Sequence, residues 1–437
     1  MQSNVPQRDF LFASWEGGGN MPPTLTVMRK LIERGHRVRL LCDACNRTEA
    51  ESIGAEFVAY RHAPSRDDKS AASDLMRDWE AVSPQDGFVR ILNKIMCGPA
   101  LDYARDVLRE IDRKPTDAIV SSEMLFGVMA AAEARQQRLA LLTANLSLFP
   151  IPGLPPFGPG LLPAVNAEDR SMQADMATAT RVMFNSGLPA VNAARAALGL
   201  PPAADLLDHI ERADRIFLGT SRAFDFEAKQ LPANLLYIGP QLDDPVWAAP
   251  WISPWREDDE RPLIVVAFST TFQDHAGTIQ RVIDALAPMP VRGLVTLGGG
   301  VDESEIKGVA NVVIRKSAPH GEVMRQAAAV VTHAGHGTVM RALVHKVPLL
   351  CMPMGRDQHD NTARVVARGA GLELRPSAPP SQIANAVFRL LDEPSFRLSA
   401  RRLGEAVSFE AANSPIVDEL ESLAHSPTGS VNCSAAA

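Results

Sequence analysis

Two short stretches near the C-terminal end concentrate the groups that could do chemistry. The first, "HAGHGT" (His333 to Thr338), stands between the apolar run "AAAVVT" and the helical pattern "VMRALVH". The second, "PMGRDQHDN" (Pro353 to Asn361), follows the apolar run "VPLLCMP". A glycine-rich turn from strand to helix lets backbone N–H groups gather around an anion at the helix N-terminus. The second loop carries hydrogen-bond donors and acceptors with little bulk. In an open parallel sheet both loops fall at the carboxyl edge, where ligands bind. The pattern therefore points to a phosphate on one loop and a hydroxyl-rich group on the other.

Other candidate motifs carry less. Cys42 and Cys45 form "CDAC", but no second CxxC or Cys/His pair stands at ligand spacing, so Cys42 reads as the end of a buried strand. Gly17, Gly18 and Gly19 do not make a dinucleotide fingerprint, because the later glycine is missing and Pro22 intervenes. No carboxylate cluster has metal-ligand spacing.

The elements that must hold these loops are readable as alternation. "DFLFAS" reads as a strand, "TLTVMRKLIERG" as an amphipathic helix closed by Gly35, and "HRVRLLC" as the next strand. "GAEFVAY", "TDAIVSS" and "LALLTAN" supply further strands. "FVRILNKIMCGPALDYARDVLREID" reads as one helical pattern, and 171–236 as helical apart from the strand "RIFLGT". "FPIPGLPPFGPGLLP" is too rich in Pro and Gly for a regular element and reads as a loop over a cleft or a plain connector. "YIGPQLDDPVWAAPWISPWREDDERP" is linker-like, and after it strands and helices alternate again from "LIVVAFS" onward. The expected class is α/β, with two doubly wound domains facing a cleft. The expected boundaries are an N-terminal domain over 1–238, a linker over 239–260, a C-terminal domain over 261–425 whose last helix can pack back on the first domain, and a disordered tail over 426–437.

Composition bounds the rest. With 437 residues and 46% hydrophobic residues, the chain can bury two full cores. A net charge of -7 without a dense basic block argues against nucleic acid as partner. Five cysteines, an odd number in a large chain, suit a reducing compartment. The N-terminus lacks the basic start and apolar core of a signal peptide, and no apolar run approaches the roughly 20 residues of a membrane span. These features lead us to expect a cytoplasmic protein. They leave oligomeric state open.

Taken together, "HAGHGTVMRAL…VPLLCMPMGRDQHDNTARV" resembles the nucleotide-sugar signature of the family 1 glycosyltransferases, bacterial macrolide-type and plant secondary-metabolite enzymes. The likeness extends in outline to "RGHRV", "IGP" and "VVAFST" in the rest of the chain. It implies the GT-B architecture, two Rossmann-like domains with the donor on the C-terminal one and the acceptor on the N-terminal one. It further implies that His333, Gly335, Gly337 and Thr338 meet the diphosphate, with Ser269 and Thr270 on the phosphate side. Asp357 and Gln358 would hold sugar hydroxyls, favouring a hexose such as glucose, and Asn361 would fix the loop or touch a phosphate. His336 reads as a surface or supporting residue. The stretch "RKSAPH" would hold the base through the Ala318 backbone and His320. Arg341 stands where many members place a ribose-binding Glu, so UDP and dTDP both stay open.

In the first domain the resemblance breaks. Many members carry a His before a proline to deprotonate the acceptor; here "EGGGNMPPTL" places Asn20 there, and asparagine is no base. Ser122 holds the slot of that histidine's acidic partner, with Glu123 beside it. The implied activity is inverting transfer of a hexose from UDP or dTDP to a small apolar acceptor: a phenol, an amide nitrogen or an activated carbon. It needs no metal and no cofactor beyond the co-substrate, with Asn20 and Glu123 as the catalytic candidates. A catalytically silent homologue assisting a partner enzyme is the alternative. An NAD-dependent dehydrogenase shares the Rossmann halves but lacks its fingerprint here.

Overall fold

The computed structural model describes residues 6–243, 251–268, 275–298 and 300–425, the side chain of Pro84 excepted. The central part of the linker, Ser269, Thr270 and the tail expected to be disordered lie outside the described residues.

Two parallel sheets organise the chain. The first comprises β1 (Asp9–Ala13), β2 (Arg37–Cys42), β3 (Glu56–Ala59), β4 (Ala118–Ser122), β5 (Leu139–Thr143), β6 (Arg215–Leu218) and β7 (Leu235–Tyr237). Its strand order is β3-β2-β1-β4-β5-β6-β7. The second comprises β8 (Leu263–Ala267), β9 (Arg292–Thr296), β10 (Val312–Arg315), β11 (Ala327–Thr332), β12 (Leu349–Cys351) and β13 (Gly371–Glu373), in the order β10-β9-β8-β11-β12-β13. β1, β4, β5 and β8 are buried at every position, as continuous apolar runs are when helices cover both faces of a parallel sheet. Each fully buried Leu, Val or Phe in them contributes roughly 1.5–3 kcal/mol.

Two expectations fail here for physical reasons. The single helical pattern after residue 87 divides into helix Pro84–Ile91, a π turn over Leu92–Met96 and helix Ala100–Arg113. Gly98 sits so close to the π turn that a Cβ on it would lie 1.8 Å from the Asn93 carbonyl oxygen, and Pro99 has no N–H to continue a ladder. Leu235–Tyr237, expected within a helical region, is the edge strand β7, paired Ile216↔Leu235 with β6. Tertiary pairing overrides the local pattern there.

The last helix, Ile416–His425, packs on the N-terminal sheet. Ile416, Val417, Leu420 and Leu423 share a core with Phe10, Phe12 and Val38. The buried His36 ring meets Glu421 at 2.8 Å, and Arg34 pairs with Asp418 at 3.0 Å.

The two sheets turn loops from their carboxyl edges toward each other. Buried His336 shares a 2.8 Å hydrogen bond with Thr220, which follows β6. Arg364 and Asp225 form a buried pair at 2.8 Å, Arg356 pairs with Asp78, and Glu410 accepts the N–H groups of Arg222 and Ala223. His336 is therefore an interdomain residue, not a surface one: the turn of helix His336–Val344 directs it into the seam.

Candidate active site

The β11 strand ends at Thr332, and the chain must turn at once into the nine-residue helix His336–Val344. Ala334 takes a left-handed φ of 69° to make that turn. Gly335 is required by close approach: a Cβ there would lie 2.5 Å from His333 Nε2. Gly337 faces open space, with nothing within 4 Å of where its Cβ would stand, and the first N–H groups of this helix, as of any helix, have no intrahelical acceptor. Those orphan donors and the helix dipole, about half a positive charge, suit an anion. Thr338, half-buried, lies in the same first turn.

His333 is buried beside this turn, its ring stacked on Phe268 at 6.1 Å and 5.9 Å from that of His275. Burial first, then the neighbouring His275 and Arg356, push its pKa down to about 3, although the Ala267 carbonyl accepts from it. At neutral pH it is an uncharged imidazole, a hydrogen-bonding group and not a counter-ion.

The second loop is stitched to the first. Asn361, fully buried, donates to the Ala334 carbonyl at 3.0 Å and to the Asp357 carboxylate at 2.8 Å. Burial raises the pKa of Asp357, opposed by hydrogen bonds from Asn361 and from Asn145, which follows β5 in the other domain. Asn145 and Asn361 each leave a buried carboxamide oxygen without a partner among the described residues. Two unfilled acceptors thus flank a carboxylate, an arrangement that hydroxyl donors would satisfy. Gln358 is used differently from a simple reader: its carboxamide oxygen accepts the N–H groups of Met354 at 2.7 Å and Gly355 at 3.1 Å, shaping the loop.

Ala318 and His320 lie beyond the end of edge strand β10, where His320 meets Thr296 Oγ1 at 3.3 Å. From β10 to β12 the sheet order has four strand spacings, about 19 Å at ~4.8 Å each. The β10, β11 and β12 loops are thus spread in line, enough for a base, a diphosphate and a sugar. Arg341 is elsewhere: it donates to the carbonyls of Leu242 at 3.1 Å and Asp243 at 2.8 Å, anchoring the linker.

In the N-terminal domain, Asn20 uses both ends of its carboxamide on its own loop. It donates to the Trp15 carbonyl at 2.8 Å and accepts from Gly17 N–H at 3.1 Å. Glu123 directly follows β4, the strand beside β1, and is buried; burial raises its pKa to about 7 despite Ser122 Oγ at 3.3 Å. Asp43, at the end of β2, is likewise raised by burial to about 6 while accepting the N–H groups of Glu16 and Arg66. Cys42 is buried, 3.5 Å from Asn46 Nδ2, and burial pushes its thiol far up, as expected of a strand end and not of a nucleophile. Among the described residues no helix is long and apolar enough to cross a membrane.

Sequence reading missed Asn145, Thr220, His275 and Asp360. Asn145 and Thr220 follow strands and have no motif of their own, Asp360 stands within the second loop's motif without a role, and His275 is singled out only by its ring's contact with Phe268 and His333.

Comparison with known proteins agrees with this fold. Residues 281–423 match the family model described as the C-terminal domain of erythromycin biosynthesis protein CIII-like proteins. The chain is 28% identical over 425 residues, 94% of its length and 99% of the relative's, to the 4'-demethylrebeccamycin synthase of Lentzea aerocolonigenes. It is 23% identical over 414 residues, 93% of its length and 84% of the relative's, to the demethyllactenocin mycarosyltransferase of Streptomyces fradiae. The crystal structure of the kitacinnamycin glycosyltransferase superposes with a TM-score of 0.76 at 18% identity, covering 96% of this chain and 99% of the other. Two Rossmann-like parallel sheets, a glycine-rich helix start beside an Asp-Gln loop and relatives along nearly the whole length lead to one conclusion: the chain has the GT-B fold and is similar to the macrolide-type family 1 glycosyltransferases.

Proposed function

We propose that the protein transfers a hexose, glucose-like in its hydroxyl pattern, from UDP or dTDP to a small, largely apolar natural-product acceptor with inversion. The carrying observation is the stitched pair of loops, in which Asn361 joins the open helix start beside His333 to the carboxylate of Asp357. Donor N–H groups at 336–337 and the neutral His333 ring would stabilise the departing diphosphate, an oxyanion-type contribution that needs no bound metal. Asp357, with the free carboxamide oxygens of Asn145 and Asn361, would take sugar hydroxyls. Ser269 and Thr270 are kept as phosphate-side hydroxyls, and Ala318 with His320 as the base end.

Glu123 is the general base in this reading. A carboxylate with a pKa near 7 is matched to proton abstraction at neutral pH, whereas Asn20 shapes the neighbouring loop. The nucleophile attacks the anomeric carbon from the face opposite the diphosphate, its proton passes to Glu123, and the electron pair of the C–O bond leaves with the diphosphate. Titrating the purified chain with UDP-glucose and dTDP-glucose, by thermal shift and calorimetry, tests the reading. Binding of at least one is the expected result, and binding of neither would sink it.

A further inference from the structure

Helix Gln358–Ala367 carries two adjacent stripes. Asp357, at its N-cap, and Asn361 form one; Asp360 and Arg364 form the other, about 60° around the axis. The second stripe grips the N-terminal domain. Both oxygens of buried Asp360 are occupied by the Pro/Gly-rich connection that follows β5: Gly158 N–H at 2.6 Å and Gly160 N–H at 3.1 Å. Gly160 adopts φ +71°, and a Cβ on it would meet the His359 carbonyl oxygen at 2.7 Å, so the connection lies on the helix backbone itself. The start of the same connection supplies Asn145, which bonds Asp357. Between these two fastenings, Phe149, Leu154, Pro155 and Phe157 line a narrow crevice that Asp360 and Arg364 close from the other side.

We propose that Asp360 is a positioning residue: it fastens the 145–163 connection to the sugar-side helix, so that the acceptor-side wall of the cleft is set in register with the bound sugar. The proposal rests on the donor and acceptor assignment above. A carboxylate suits the task because it accepts two N–H groups at once and leaves the approaching backbone no unpaired donor. Asp360 touches neither substrate; it acts through the connection.

The test uses the full chain and two variants that break the contact from opposite sides, Asp360→Ala on the helix and Gly160→Ala on the connection. Hydrogen exchange of peptides spanning 150–163 is compared with that of the β1, β4 and β8 strands. The strap peptides should exchange about tenfold faster in each variant, with strand protection unchanged, and the double variant should be no worse than the worse single. With 4-methylumbelliferone as probe acceptor, acceptor KM should rise about tenfold while kcat and nucleotide-sugar affinity stay within about twofold. Unchanged strap protection, additive effects of the two substitutions, or a loss confined to donor affinity would each overturn the proposal. Failure of the wild-type chain to bind either nucleotide sugar would sink the functional reading instead, while strap exchange still reports on the Asp360 contact.

Discussion

At the scale of single residues, the proposed function gives three side chains separable tasks. His333 is buried and neutral, so the contribution to diphosphate binding proposed for it is a hydrogen bond at the developing charge. His333→Ala should weaken binding of UDP or dTDP by calorimetry and slow turnover at least tenfold, within the ~2–4 kcal/mol of comparable oxyanion contacts. Because its pKa lies near 3, this residue should add no pH dependence to donor affinity between pH 5 and 8. Asp357 should discriminate by hydroxyl: Asp357→Ala is expected to cost a glucose donor much more than a donor deoxygenated at the contacted positions, and equal losses would make it a loop support. Glu123 should set the acid limb of the rate profile, near pH 7. Glu123→Gln is expected to abolish most turnover, leave donor binding intact and remove that limb. A mild effect with rates that track acceptor pKa would mean that the acceptor supplies its own acidity.

At the scale of elements, the strand-to-helix turns do the positioning, and their glycines are there for room. Gly335→Ala would place a methyl group 2.5 Å from His333 Nε2. The ring must then move, and we expect nucleotide-sugar affinity to fall by an order of magnitude or more with circular dichroism unchanged. Gly337→Ala, whose Cβ would stand in the open space proposed for the diphosphate, should also weaken binding, but without moving the His333 ring. These turns show how much of the site was legible. Gly335 and His333 announce themselves by type and spacing. Asn145 does not, because "LLTANLS" reads as an ordinary strand end and its importance lies in a carboxylate some two hundred residues away.

At the scale of the whole molecule, buried ionisable groups set the response to pH. His209, His333 and His336 have pKa values lowered by burial to about 4, 3 and 3. Each stabilises the fold above pH ~6.5, and that contribution is lost as pH falls toward the folded value, since only the unfolded chain takes up the proton. Asp43, Asp360 and Glu123 are raised to about 6, 6 and 7 and act oppositely, their contribution being lost as pH rises through those values. Between pH ~6 and ~4.5 the two sets offset. The melting temperature should therefore change little across that interval and fall below pH ~4, where of these six groups His333 and His336 still differ and where ion-paired carboxylates with lowered pKa values, such as Glu56, Glu110 and Glu133, add to the loss. Two protons correspond to at most about 3 kcal/mol per pH unit. A steady decline from pH 6.5 downward would show that the carboxylates do not compensate.

The sequence by itself determined the class, the alternation of strands and helices, and the residue types of the two C-terminal loops, because apolar runs, glycine turns and short polar motifs are local properties. It placed His333, Gly335, Asp357 and Asn361 on neighbouring loops without showing that Asn361 ties them together. Only the tertiary structure decided that β7 is a strand, that His336 faces Thr220, and that Asn20 is engaged by its own loop while Glu123 is buried enough to hold a proton near neutrality. Those outcomes depend on contacts between residues far apart in the chain, through desolvation, cross-domain hydrogen bonds and edge pairing. No window of neighbouring residues encodes them.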